Sequence, residues 1–186
     1  MKKQSGVTLI ELLVTVAVIS VIALLAIPSF DSIIEKNRLR NAVEDVYGLM
    51  VEARSEAVLR SVDSLMDIDE SAAWCVGYTM DDDGLGTDCD CTDGLADSDP
   101  CSVGVSGTAV LKTIRSTDFP GVTMDTVATT ATNPEFDSVR GTVGTAGAIQ
   151  LQSGDWAANV VVSPLGRVMV CTPADEETIG FEDCPP

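Results

Sequence analysis

The chain has 186 residues, with eleven Lys and Arg against 29 Asp and Glu, no histidine, and a net charge of −18. So acidic a chain repels phosphate backbones, which disfavours nucleic acid as a general partner. Without histidine the usual general base and the Ser-His and Cys-His nucleophile pairs are missing. No other catalytic constellation stands out, so the sequence argues against an enzyme.

In chain order, Lys2 and Lys3 precede an apolar run over residues 7–27, followed by Pro28. At 1.5 Å per residue a helix over that run covers about 31 Å, close to the hydrocarbon thickness of a bilayer. The basic residues before it place the N-terminus in the cytoplasm and the rest of the chain outside. The run is longer than a secretory h-region and lacks an A-x-A-like cleavage site, which argues against a cleaved secretory signal. A plain anchor leaves Glu11 unexplained. A carboxylate costs about 2.5–3.5 kcal/mol at mid-membrane, and nothing cationic lies near it in its own helix.

"SGVTLIELLVTVAVISVIALLAIPSF", residues 5–30, supplies the missing partner, because it resembles the N-terminus of type IV prepilins and pseudopilins. That resemblance implies a leader over residues 1–6, cut by a prepilin peptidase after Gly6. Val7 becomes the methylated N-terminus, where the family most often has phenylalanine. Glu11 becomes the fifth residue and meets the terminal amine of a neighbouring subunit during assembly. Pro28 matches the helix-softening proline of the family. The implied partners are other pilin or pseudopilin subunits through the N-terminal helix, the peptidase, and the inner membrane, with a periplasmic globular domain.

An amphipathic continuation is expected over 28–61, its apolar positions running Ile33, Ile34, Leu39, Ala42, Val43, Val46 and on to Leu49, Met50, Ala53, Ala57 and Val58 at three- and four-residue spacing. A coiled-coil stalk is the alternative, but a sustained 3.5-residue repeat is lacking. "EARSEAVLRS", residues 52–61, and "VVVSPLGRVMVC", residues 160–171, resemble segments of the FimT, FimU and GspH group of minor pilins and pseudopilins. The fold class is therefore α+β: a long N-terminal α-helix, membrane-spanning in its first half, packed on an antiparallel β-rich domain over 62–186. Strands are predicted at 73–80, 103–114, 122–127, 148–152, 159–163 and 167–171, with "SPLG" at 163–166 as a tight turn.

All six cysteines follow the apolar run, as expected for disulfides in an oxidising compartment. Cys75, Cys89, Cys91 and Cys101 allow three pairings. Cys89 and Cys91 are too close in sequence to suit each other, so Cys75 takes one and Cys101 the other. The family resemblance implies a bond between Cys171 and Cys184. The stretch that carries Cys89, Cys91 and Cys101, "DDDGLGTDCDCTDGLADSDPC", residues 81–101, holds eight aspartates that repel one another unless stapled or neutralised. Asp81, Asp83 and Asp90 around Gly84 partly mimic an EF-hand calcium loop, with Thr79 at the first ligand position and Asp90 in place of the terminal Glu. The alternative is a solvated, disulfide-held loop. No other cofactor is expected, and zinc at Cys89 and Cys91 conflicts with the oxidising compartment.

The function these features imply is a minor pilin or pseudopilin of a type IV pilus-like filament, acting in its tip and initiation complex. A GspH-type subunit of a type II secretion system is the near alternative. A tip adhesin or DNA-uptake module is a different class of reading. DNA uptake conflicts with residues 172–186, which hold five carboxylates and no Lys or Arg.

Overall fold

The computed structural model describes the backbone of residues 7–82, 84, 89–104, 108–126, 133–174, 176 and 179–185, and the side chains of all of these except 24–29 and 126. The chain divides into two compact units, Met1–Ile34 and Glu35–Pro186.

A single helix, α1 (Leu9–Arg60), is the longest element. In the first unit its described side chains are exposed except Ser32, which is half-buried, and the exposed ones include Leu9, Ile10, Val16 and Ile22. Among the described residues no helix is long and apolar enough to cross a membrane. In the second unit α1 buries one stripe, Leu39, Ala42, Val43, Val46, Met50 and Ala53, with Leu49 and Ala57 beside it. The 3-1-3 spacing keeps these on one face. Each fully buried Leu, Val or Met there contributes on the order of 1.5–3 kcal/mol. Ile33, Ile34 and Val58, apolar and in phase in the sequence, are exposed instead. The helix ends where Ser61 turns left-handed (φ 57°) and the Val62 amide reaches back to the Ala57 carbonyl at 3.2 Å, closing the last turn.

Ten short strands follow. β1 (Ser64–Asp69), β2 (Cys75–Met80), β5 (Thr113–Arg115) and β7 (Glu135–Phe136) form one sheet in the order β5-β2-β1-β7. β6 (Thr123–Thr126), β8 (Gly147–Ser153), β9 (Trp156–Val162) and β10 (Val168–Cys171) form a second, ordered β10-β9-β8-β6. β3 (Ser102–Val103) and β4 (Val110–Leu111) make a separate ribbon. The pairs in both sheets and the ribbon are antiparallel. The helix stripe shares one core with Trp74, Val76, Tyr78, Phe136, Leu151 and Val160. Trp74 is tied there by its indole N–H, which donates to the Val122 carbonyl at 2.7 Å, and it stacks on Phe119.

β2 is buried on both faces. Val76, Tyr78 and Met80 point into the helix-side core, while Cys75 faces a second cluster of Cys89, Cys91 and Cys101. Gly77 makes that close approach feasible: a Cβ there would stand 2.7 Å from the Cys101 Sγ.

The structure differs from the sequence expectation at two points. β1 and β7 were not expected, because Ser64, Asp67 and Asp69 break the apolar alternation of "SLMDID". The strand expected over 103–114 is split into β3, β4 and β5. Gly104 turns out of β3 at φ 129°, and Lys112 separates β4 from β5 as its backbone N–H leaves to bond the Cys101 carbonyl at 2.8 Å. The turn at 163–166 does form, closed by the Gly166 N–H donating to the Ser163 carbonyl at 2.8 Å.

Candidate functional site

The start of α1 is built by its own polar side chains. Thr8 precedes the first helical residue, and its hydroxyl accepts the Glu11 N–H at 3.3 Å, while its carbonyl accepts the Leu12 N–H at 3.2 Å. Thr8 is therefore the N-cap, and "TLIE" is a Thr-x-x-Glu capping signature. The spacing was legible in the sequence, but Glu11 drew attention as a charge rather than as a helix-start residue. Further along, the Thr15 hydroxyl donates to the Leu12 carbonyl and the Ser20 hydroxyl to the Val16 carbonyl, both at 2.8 Å. These hydroxyls satisfy themselves within the helix. Glu11 differs. Among the described residues its carboxylate has no hydrogen-bond or ion-pair partner, and it stands exposed among apolar neighbours. Val7 is exposed at the described end of the chain, four residues before it. Gly6 lies outside the described residues. Position 28 is within the helical backbone, but the Pro28 side chain is likewise outside.

The cysteines form three disulfides: Cys75–Cys91, Cys89–Cys101 and Cys171–Cys184. The first staples the acidic loop onto β2, and the second closes the loop on itself. Arg115, on β5, holds the loop from beneath, its guanidinium donating to the Cys91 carbonyl at 3.1 Å and the Asp93 carbonyl at 2.6 Å. Asp67 on β1 accepts the Cys91 N–H at 2.9 Å.

The aspartates of the loop serve mostly as local acceptors. The Asp90 carboxylate accepts from the Thr92 hydroxyl at 2.6 Å and the Thr92 N–H at 2.8 Å, and these bonds hold its pKa below the ordinary carboxylate value. Asp97 accepts the Gly94 N–H at 2.7 Å. Of the three calcium candidates, Asp83 lies outside the described residues. Asp81 bonds through its own N–H to the Asp63 carbonyl at 2.8 Å. Among the described residues no three acidic or cysteine side chains converge as metal ligands.

At the C-terminal end of α1, Arg54 donates from Nε to the Gly141 carbonyl at 2.9 Å. Gly166, in the turn before β10, packs directly on that carbonyl. The "ARSEA" and "SPLGR" segments singled out in the sequence therefore meet at one place, through Gly141.

A family model for the prokaryotic N-terminal methylation motif matches residues 1–27. A second, for the type II transport protein GspH, matches residues 42–166, from the buried helix stripe to the turn at Gly166. The chain belongs to the GspH family. Two curated fimbrial proteins of Pseudomonas aeruginosa are each 40% identical to it over 55 residues, 30% of the chain. The match spans only 36% of those relatives' length. Among solved structures, the minor pseudopilin EpsH of the Vibrio cholerae type 2 secretion system is similar at a TM-score of 0.50 and 12% identity, covering 73% of this chain and 97% of that one. The Pseudomonas aeruginosa type IV minor pilin FimU aligns at a TM-score of 0.45 and 17% identity, over 70% of this chain and 90% of that one. The EpsH likeness shows that this GspH-family chain has the pilin-like fold, a long helix packed on antiparallel sheets.

Proposed function

We propose that the chain is a minor pilin or pseudopilin: a subunit anchored in the inner membrane by residues 7–27 and then drawn into a type IV pilus-like filament. The observation that carries this reading is Glu11, a carboxylate without a partner among the described residues, on an apolar stretch of helix where the Thr15 and Ser20 hydroxyls are satisfied internally. In lipid or in a filament core such a charge calls for a cation from outside its own helix. Cutting after Gly6 creates one, the amine of Val7, on each neighbouring subunit. Pairing Glu11 with that amine favours correct register, because a misplaced subunit leaves both charges unpaired in apolar surroundings. The subunit enters the initiation complex at the filament tip, and Pro28 is where the helix yields as it leaves lipid.

A second reading, a GspH-type subunit of a type II secretion pseudopilus, is favoured by the match of residues 42–166 to a type II transport family. Deleting the gene and measuring surface pili and exoprotein secretion separates the two. Lost pili with normal secretion supports the pilus, and the reverse supports the pseudopilus. If both are unchanged, the subunit role is wrong. The mass of the mature N-terminus tests processing, with methylated Val7 expected as the first residue.

A further inference from the structure

Along α1 the described side chains before Glu35 are exposed except Ser32, and the first fully buried residue is Leu39. Between them lies one polar turn, residues 35–38, none of which belongs to the apolar core. Glu35, Lys36 and Arg38 are half-buried nonetheless.

Three separate segments supply that cover. At the turn between β8 and β9, Gly154 comes so close that a Cβ on it would overlap the Glu35 carboxylate. Beside it, the Lys36 Nζ sits 4.6 Å from the centroid of the Trp156 ring. From the loop before β6, the Pro120 carbonyl accepts from Arg38 Nη1 at 2.5 Å, and a Cβ on Gly121 would stand 3.3 Å from that nitrogen. Next along the helix, the Arg40 guanidinium is 5.8 Å from the centroid of Phe181, in the loop closed by the Cys171–Cys184 disulfide.

At 3.6 residues per turn, Lys36 and Arg40 share one flank of the helix and Arg38 lies on the other. The grip is therefore two-sided. These cations would not favour a helix start on their own account, because Lys and Arg in a first turn oppose the macrodipole. Their loop contacts are what hold them in place.

We propose that these contacts form a collar that stops the unwinding of α1. Opening is easy in the uncovered turns before Glu35, and Pro28, with no N–H to give, eases it further. It ends at the collar. Core burial alone would end it one turn later, at Leu39, with the carbonyls of 35–38 already released. The collar thus keeps whole the turn on which Leu39, Ala42 and Val43 are seated. The stop is a property of the single chain and does not depend on the filament reading, which the deletion phenotype tests separately.

Hydrogen–deuterium exchange, resolved by residue on the full chain in detergent micelles, tests the stop. An α-helical amide donates four positions back, so the amides of 39–42 report the carbonyls of 35–38. In the wild type, amides 31–34 should exchange at least about tenfold faster than amides 39–42. The triple variant Lys36→Gln, Arg38→Gln, Arg40→Gln keeps helix propensity nearly constant. It should speed exchange at 39–42 about tenfold and leave 46–57 unchanged. Losing cations from a first turn would by the macrodipole alone slow that exchange, so a rise reads the lost grip. Phe181→Ala, which leaves the helix sequence intact, should speed the same amides by a smaller factor. Equal rates at 31–34 and 39–42 in the wild type would overturn the proposal. So would unchanged rates at 39–42 in the triple variant, or an equal rise over all of 39–57, which would mean the whole helix had loosened.

Discussion

Arg54 on the helix and Gly141 in the loop after β7 are joined by a 2.9 Å hydrogen bond from Nε, and Gly166 seals the other side of the same carbonyl. Arg54→Ala removes a charged donor from a half-buried acceptor, a loss of about 1.5–3 kcal/mol. Gly166→Ala should be worse, because its backbone is left-handed at φ 72° and a Cβ would overlap the Gly141 carbonyl. Thermal melts of the three proteins should rank wild type above Arg54→Ala above Gly166→Ala.

The Cys171–Cys184 bond closes a loop with a sequence separation of 13. Within it the Thr172 N–H donates to the Glu182 carbonyl and the Cys184 N–H to the Thr172 carbonyl. Replacing both cysteines by serine should cost about 3 kcal/mol by loop-closure entropy, read as a lower midpoint in urea. Little change would mean that the backbone bonds alone hold the segment.

Glu11→Val should leave insertion into membranes intact and reduce incorporation into filaments, measured as sheared-filament content against membrane content. Thr8→Val is the control. It loses the helix N-cap, worth about 0.5–2 kcal/mol, but keeps the carboxylate, so a pairing defect and a capping defect come apart. Normal incorporation of Glu11→Val would contradict the pairing.

Asp90 has its pKa lowered from 3.8, first by the Thr92 hydroxyl and then by the Thr92 N–H. A lowered folded-state pKa means the stabilisation is complete above the unfolded value and fades as pH falls through the folded one. An NMR titration should therefore place the Asp90 midpoint below 3.8, and Thr92→Val should move it back up. An unchanged midpoint in Thr92→Val would assign the shift to another cause.

Legibility differed by element for physical reasons. The helix and the hairpin strands β8, β9 and β10 follow from periodicity and turn residues, which are local. β1 could not be read, because Ser64, Asp67 and Asp69 interrupt its apolar alternation, and only the fold shows what they do: Asp67 takes the Cys91 N–H from a distant loop, while Asp69 accepts from Ser71 two residues on. The exposure of Ile33, Ile34 and Val58 was equally hidden, since a periodic pattern tells which residues share a face and not where cover ends. At the candidate site, the charge on Glu11 and its spacing from Gly6 were visible in the chain. The convergence of Arg54, Gly141 and Gly166 was not, because it joins the helix to segments 87 or more positions further along the chain.

Each of the three disulfides spans only 12 to 16 positions, and none ties the helix to a sheet. The helix therefore stays seated without a covalent tie, by side-chain packing, hydrogen bonds and the Lys112–Glu52 ion pair, while the covalent bonds tidy peripheral loops. For a globular part exported with its thiols reduced, as the proposed function requires, this order has a kinetic advantage. The hydrophobic core assembles without waiting for an oxidase, and the folded scaffold then presents each thiol to its proper mate, so little isomerase work is left.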